Sequence, residues 1–292
     1  MDAVEFKQYI EKSIERLAEL YGMSKPDLEK YYTLTDYQFE SIRGLSGINL
    51  VFAQYAFHAQ NSQRIDKIVK FMDNFDFIKE KTKNFNPSSF LEEYHFKTEN
   101  DRNETVENII KAFKYDEDTG KGLKWSEEKS EKRPGAMIKR YANALIDGAV
   151  YFKDFETKED VIDDFEKHYQ NEDFKELISY ANGLFKHGFS VALCCDFLKE
   201  LDPRFKLGKP DIHLKEVLAK YKGLHIGFYK KNGIKYDFKC LSDFLELVKE
   251  IQKTYPNITA YMLDRQIWLC CTGNFFLDDI EDIKQLFMKG IV

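Results

Sequence analysis

Several features are scarce in this sequence, and each scarcity narrows the class of protein. The 292 residues include only six prolines and fifteen glycines, and this scarcity favours a mostly α-helical protein. No apolar stretch reaches the roughly 18 to 20 residues that would span a bilayer. The start, Met1 to Lys7, lacks the basic and then apolar pattern of a signal peptide. We therefore expect a cytoplasmic protein that does not associate with a membrane.

Cysteines are also few, and their spacing is uninformative for metals. There are five, two adjacent pairs at 194–195 and 270–271 and a single one at 240. Vicinal pairs fit neither zinc spacing nor a secreted disulfide framework, and an iron-sulfur cluster needs four thiolates in an ordered run. We expect reduced core cysteines, no metal and no cofactor.

The residues that are plentiful indicate helices. The chain is 43% hydrophobic and 15% aromatic, which can fill a large core. Apolar residues recur at helical spacing, as from Phe6 to Leu20, and this pattern predicts an all-α, multi-helix bundle. A long helix is predicted from Asn49 to Met72, and its early part, Leu50 to Phe57, is apolar nearly all round. One short β-hairpin is possible at Leu224–Tyr236, where Asn232-Gly233 favours a tight turn.

The charged, glycine-broken stretch from Tyr115 to Gly135 predicts a long surface loop. It suggests an N-terminal helical region over 1–135 and a second helical domain over 136–292. It also suits a loop inside one domain, with both chain ends woven into a shared lobe. The predicted helices after the loop are 137–150, 158–169, 172–184, 190–201, one that starts at Asp211, 240–254, 260–271 and 277–288.

Charge is unevenly distributed along the chain. The net charge is −6, yet ten basic residues face only three acids between Arg204 and Lys239. A local positive excess of this kind fits phosphate binding, and it also fits ordinary solvated helices.

A glycine turn between two predicted helices lies at Leu184–Ala192, which reads Leu-Phe-Lys-His-Gly-Phe-Ser-Val-Ala. The backbone N–H groups of such a turn, with the positive end of the second helix dipole, can hold a DNA phosphate without reading sequence. An ordinary packing corner between two helices has the same pattern.

One helix further on, Gly208-Lys209-Pro210-Asp211-Ile212-His213 places an aspartate directly after a proline. Proline keeps the preceding residue out of helical geometry, and aspartate is a favoured N-cap, so a capping role is expected in any case. Backbone N–H bonds to a capping carboxylate favour its charged form. A fixed carboxylate can stabilise the positive sugar that forms when a glycosidic bond breaks.

These two segments resemble the helix-hairpin-helix-Gly/Pro-Asp superfamily of DNA base-excision glycosylases. The similarity covers about Glu172 to Tyr221, with weaker agreement from Met137. It implies that Asp211 is catalytic and that the partner is double-stranded DNA. Ser190 stands where bifunctional members carry a nucleophilic lysine, which implies a monofunctional N-glycosylase without lyase activity. Two features depart from the family: Lys186 replaces the first hairpin glycine, and the cluster-binding cysteine run is absent.

The resemblance leaves further assignments as predictions. Predicted DNA contacts are Lys186, His187, Gly188, Ser190, Lys209 and His213. Candidates for a pocket around an extruded base are Gln54, Tyr55, His58 and Tyr141, although most aromatic residues of this chain must be core. Asp264 and Arg265, in a helical tail motif, have either a core role or one beside the hairpin, as an ion pair or phosphate contact.

Three functions remain open at this point. The first is base excision by a monofunctional glycosylase. The second is a non-catalytic DNA-binding module of a repair or defence system, and the third is a helical interaction protein with no nucleic-acid role.

Overall fold

The computed structural model describes residues 1–30, 44–60, 74–117, 120, 122–123, 137–231, 233–273 and 283–291. These residues form helices and connecting turns, and no β-strand occurs among them. The predicted all-α class is confirmed. The α-helices, in chain order, are α1 (Ala3–Leu20), α2 (Lys25–Lys30), α3 (Gly47–Gln60), α4 (Phe75–Lys81), α5 (Pro87–Glu93), α6 (Arg102–Phe113), α7 (Met137–Phe152), α8 (Lys158–Glu166), α9 (Phe174–Leu184), α10 (Val191–Leu201), α11 (Ile212–Tyr221), α12 (Ile234–Gln252), α13 (Ala260–Thr272) and α14 (Ile283–Lys289).

Capping residues explain where several helices begin. Asp2 and Thr157 form capping boxes before α1 and α8, and Asp173 and Asp211 accept backbone N–H bonds at the starts of α9 and α11. These side chains satisfy N–H groups that have no partner inside the helix. The long helix predicted at 49–72 is described only as far as Gln60, where α3 ends. Most of the loop predicted at 115–135 lies outside the described residues.

The β-hairpin predicted at Leu224–Tyr236 is wrong. The chain forms a short 3-10 turn at Phe228–Lys230, and α12 starts at Ile234; Asn232 itself lies outside the described residues. The apparent alternation does not bury one face, because Ile226 and Ile234 are exposed whereas Tyr229 is fully buried. The burial of Tyr229 in a 3-10 turn outweighed the preference of the Asn-Gly sequence for a hairpin turn.

The chain divides into two compact units. Unit 1 consists of Met1–Tyr37 and Leu198–Val292, and unit 2 of Gln38–Phe197. Both chain ends therefore belong to one unit. The boundary predicted between residues 135 and 136 falls inside unit 2.

Unit 2 is built around α7, which packs against α3, α5 and α6. Small residues let its neighbours approach closely: a Cβ atom on Gly148 would lie 2.4 Å from the Tyr55 ring. The core beside α7 is aromatic, and Tyr55 stacks on Phe189 with ring centroids 4.3 Å apart. Phe152, Phe185 and Phe197 contact the Tyr55 ring, and Phe165 packs on Phe185 and Phe197.

Unit 1 packs α1, α11, α12, α13 and α14 around an aliphatic core. The helix α13 contacts α1, α11 and α14 and is buried on most sides. Its central position brings polar residues of α13 close to the turn that precedes α11.

All five cysteines are buried free thiols, as the sequence predicted. Burial raises the pKa of Cys194 and raises that of Cys271 to about 12, so both stay protonated at neutral pH. Within the described ranges, no helix combines the length and apolar character that a membrane crossing requires.

Candidate functional site

The predicted glycine hairpin is a turn between α9 and α10 in unit 2. The turn covers residues 185–188, and the amides of Gly188 and Phe189 both donate to the carbonyl of Phe185, at 3.2 and 2.9 Å. The His187 amide donates to a carboxylate oxygen of Asp147 at 2.9 Å. Two amides of the turn, and that of Phe189 directly after it, are thus used inside the protein. A helix pair with a tight turn is present, and its identity as a helix-hairpin-helix motif stays a prediction.

Gly188 is required by close packing. A Cβ atom at this position would lie 2.4 Å from the Cβ of Ala144 on α7, which is shorter than real contacts allow. Its φ angle is not among the positive ones, so the glycine serves the approach of two backbones rather than an unusual turn conformation.

Asp147, on α7, connects the hairpin to the core of unit 2. Its side chain is 2% exposed and receives a hydrogen bond from the Arg102 guanidinium at 2.8 Å. The other partner is His187, whose Nδ1 lies 2.9 Å from the same carboxylate oxygen. Since Asp147 also accepts the His187 amide, one buried carboxylate fixes both the backbone and the ring of the central turn residue.

The start of α10 leaves donors available. The Ser190 carbonyl accepts the Cys194 amide at 2.9 Å, which makes Ser190 the N-cap residue. Its hydroxyl lies 3.4 Å from the Leu193 amide. Within the described residues, the amides of Ser190, Val191 and Ala192 have no hydrogen-bond acceptor. Lys186 and Ser190 are exposed beside these groups.

Asp211, in unit 1, is the N-cap of α11, as predicted. Its Oδ1 accepts the amides of His213 and Leu214 at 2.8 and 3.1 Å. Both of these hydrogen bonds use one oxygen, and Oδ2 is not engaged by any described donor. The side chain is partly exposed. The result is a carboxylate held rigidly by one oxygen while the other is available to a ligand.

The turn before Asp211 is also fixed. The Asp211 amide donates to the Lys209 carbonyl at 2.7 Å, closing a tight turn around Pro210. The Lys209 amide donates to Oδ1 of Asp264 at 3.0 Å. Gly208 packs on Phe244, whose ring would be 2.5 Å from a Cβ there. Backbone, carboxylate and ring together define the position of the cap residue.

Two further predicted contacts lie beside Asp211. Lys209 is partly exposed, and His213 is partly buried with no hydrogen bond to its Nδ1 in the described part of the chain. Burial lowers the pKa of His213, although the charge of Asp211 opposes the shift. The imidazole is therefore neutral at neutral pH and is a weak partner for phosphate.

Much of the positive excess between Arg204 and Lys239 is neutralised. Asp243 pairs with Lys222 and Lys239 at 2.8 and 2.9 Å, Glu216 pairs with Lys230, and Asp237 pairs with Lys215. Lys220, Lys231 and Lys235 have no ion pair within the described ranges, and the last two lie over aromatic rings. The segment offers fewer cations to a phosphate than its sequence indicates.

The four residues proposed for a base pocket lie in the interior of unit 2. Gln54, Tyr55, His58 and Tyr141 are 8%, 0%, 2% and 1% exposed. The His58 ring lies 3.3 Å from Asp196, which is equally buried. Their placement agrees with the expectation from the sequence that aromatic residues here are mainly core. A pocket built from them stays a prediction.

Tyr55 allows a test of this buried region. Its hydroxyl has no hydrogen-bond partner in the part of the chain that the structure describes, and burial raises its pKa well above the ordinary value. Because a buried hydroxyl without a partner costs about 1 to 3 kcal/mol, we expect Tyr55→Phe to raise the free energy of unfolding in urea by about 1 kcal/mol.

Tyr151→Phe is the matched control, because the Tyr151 hydroxyl donates to Asp164 at 2.8 Å. That variant should lose about 1 kcal/mol. Equal effects of the two substitutions would contradict the assignment of Tyr55.

Sequence reasoning missed two residues that shape these sites. Asp147 and Lys199 had no visible signal, because each lies in an ordinary helical pattern and its partners are 40 and 65 positions away. Asp264 was noticed, and it bonds the turn before Asp211 in unit 1 rather than the hairpin. Its neighbour Arg265 forms an ion pair with Glu200.

Comparison with models of protein families, with curated proteins and with solved structures finds no match to this chain. Within the described residues, no cluster of three or more His, Cys, Asp or Glu side chains could hold a metal ion. A function for this chain therefore has to be inferred from the hairpin and from Asp211.

Proposed function

We propose that this protein binds duplex DNA and releases a damaged or modified base as a monofunctional N-glycosylase, with Asp211 as its catalytic carboxylate. The observation that carries the proposal is the Asp211 cap, in which Oδ1 binds two amides of α11 while Oδ2 has no described donor. The fixed oxygen keeps the carboxylate oriented, and the available oxygen can face a ligand. The buried free cysteines suit a reducing cytoplasm, where we place the protein.

The chemistry follows from the charge of this group. When the bond between the base and C1′ of the sugar breaks, its electron pair leaves with the base and positive charge develops on the sugar ring. A carboxylate already oriented toward that charge stabilises it without reorganisation, and it also orients the attacking water. The resemblance places Ser190 where bifunctional family members carry the lysine that forms a Schiff base, so in this proposal water supplies the new bond to C1′.

DNA contact is supported by the start of α10. The unengaged amides of Ser190, Val191 and Ala192 and the helix dipole favour an anion there, and Lys186 adds a mobile charge. These groups recognise the phosphate backbone and carry no base preference.

We expect Lys186→Ala to weaken duplex binding at every sequence and to lower the slope of log affinity against log salt by about 1. Fluorescence anisotropy at several salt concentrations measures the slope. Lys153→Ala is the control, since Lys153 is also an exposed lysine of unit 2 and lies outside the hairpin. A slope unchanged in the Lys186 variant, or changed equally in both, would remove this residue from the interface.

The activity itself is tested by base release. Purified protein is incubated with duplexes that each carry one lesion, such as a deaminated, alkylated or oxidised base, and the free base is measured by mass spectrometry. We expect release from at least one lesion class, with strand cleavage only after alkali. Absence of release from every duplex would reject the enzymatic proposal.

A specific observation favours a second candidate, a non-catalytic DNA-binding module. The unengaged amides of Ser190, Val191 and Ala192 and the exposed Lys186 can hold a phosphate without any contribution from Asp211. This module would bind duplex DNA with a steep salt dependence, as the enzyme would, but it would release no base with either Asp or Asn at position 211.

A further inference from the structure

We infer that Asp264, paired with Lys199, is a positioning residue for Asp211. The inference deepens the proposed function and rests on it for its catalytic consequence. The structural part of the inference is that a buried ion pair fixes the Lys209–Asp211 turn. This part can be tested on the protein without any DNA.

Successive hydrogen bonds within unit 1 connect Lys199 to Asp211. Lys199, at the end of α10, donates to Oδ2 of Asp264 on α13. Oδ1 of the same carboxylate accepts the Lys209 amide at 3.0 Å, and the Lys209 carbonyl accepts the Asp211 amide at 2.7 Å. Asp211 then caps α11. The two oxygens of the Asp264 carboxylate have different partners, since one binds the cation and the other binds the turn.

Burial gives the arrangement its rigidity. The side chains of Lys199 and Asp264 are 1% and 6% exposed, so water does not compete for these bonds. Desolvation, opposed by Lys199, raises the pKa of Asp264, and the charge of Asp211 contributes in the same direction. Asp211 is thus close enough for the two carboxylates to affect each other electrostatically.

A neighbouring pair separates this role from simple helix packing. Arg265 and Glu200 lie one residue along the same two helices and also form a buried ion pair. Tyr261 contributes a hydrogen bond to Glu200 at 3.2 Å. The Lys209 amide is bonded to Asp264 and not to this second pair. The second pair is therefore the matched control for residues that link α10 to α13 without holding the Lys209 amide.

The experiment compares two double variants. Lys199→Met with Asp264→Asn removes both charges and keeps an amide oxygen that can accept the Lys209 N–H. Lys199→Met with Asp264→Leu also removes both charges and leaves the Lys209 N–H without an acceptor. Each variant removes the two charges of the pair together, so we expect both to fold. Arg265→Met with Glu200→Gln serves as the control in both assays, because it also removes both charges of a buried pair.

We expect hydrogen exchange of the Lys209 amide, followed by NMR, to be about tenfold or more faster in the Leu variant than in the Asn variant or the wild type. The ¹³C chemical shift of the Asp211 side-chain carboxyl should move further in the Leu variant than in the Asn variant. Where base release is present, kcat should fall about tenfold in the Leu variant with KM unchanged, and the Asn variant should recover it. The control double variant, Arg265→Met with Glu200→Gln, should leave all three unchanged.

Equal exchange at Lys209 in the two double variants would overturn the inference, whether or not the protein releases a base. If wild-type protein releases a base and Asp211→Asn does not, full activity in the Leu variant would also overturn it while the proposed function stands. If no duplex yields a base, the proposed function fails and the exchange data alone decide the inference.

Discussion

Asp211→Asn is expected to reduce the single-turnover rate of base release by at least about a hundredfold, with little change in folding or DNA affinity. Asparagine caps helices about as well as aspartate, so its side-chain oxygen can still accept the amides of His213 and Leu214. The substitution removes the negative charge that would stabilise the sugar cation. Base release measures the rate, and thermal unfolding together with anisotropy measures the rest.

Asp173→Asn is the matched control for this variant. Asp173 caps α9 in the same manner, with Oδ1 accepting the amides of Lys175 and Glu176 at 2.9 and 3.2 Å. Both substitutions remove a carboxylate from a helix N-terminus, which costs about 0.3 to 1 kcal/mol from the helix dipole. A shared loss of activity would therefore indicate a stability effect.

Two outcomes would contradict the role of Asp211. Full base release in the Asn variant would show that another group stabilises the sugar cation. A large loss of DNA affinity without a change in the rate at saturating protein would make Asp211 a binding residue.

The second large effect concerns the buried carboxylate of unit 2. We expect Asp147→Ala to lower the free energy of unfolding by about 3 kcal/mol, because it leaves the Arg102 guanidinium and the His187 amide without their buried acceptor. Urea unfolding measures the change. Hydrogen exchange of the His187 amide should also become faster, since the turn loses its connection to α7.

Glu99→Gln is the control, because Glu99 pairs with the same Arg102 at 2.7 Å but is 64% exposed. A solvent-exposed partner contributes little, so this variant should lose less than about 1 kcal/mol. If both variants lose the same stability, or if the His187 amide is unaffected by Asp147→Ala, the hairpin is held by something other than Asp147.

Local patterns were sufficient for most of the fold. Helix positions followed from apolar spacing and from caps such as Asp173 and Asp211, because both signals act within a few residues of each other along the chain. The same local logic failed at Leu224–Tyr236. There the Asn-Gly signal was genuine, but Tyr229 is buried and hydrogen-bonded to Asp243, which lies fourteen residues later.

The candidate site could be predicted only in part, because some of its contacts join residues far apart in the chain. Asp211 was identifiable because proline, aspartate and an apolar helix are consecutive. The bonds that hold its turn come from Asp264, which is 55 residues beyond Lys209. The base-pocket candidates had suitable chemistry, but whether such residues face a cavity or a core depends on which helices cover them.

By itself the sequence determined the helical class, the capping role of Asp211 and the reduced state of the cysteines, because each depends on short-range pattern or composition. Only the tertiary structure decided that both chain ends form one unit and that Gly188 packs on Ala144. It also decided that Asp147 binds the turn between α9 and α10 and that Asp264 binds the turn before Asp211. Those facts depend on contacts between residues far apart in the chain, and packing selects them only when the helices come together.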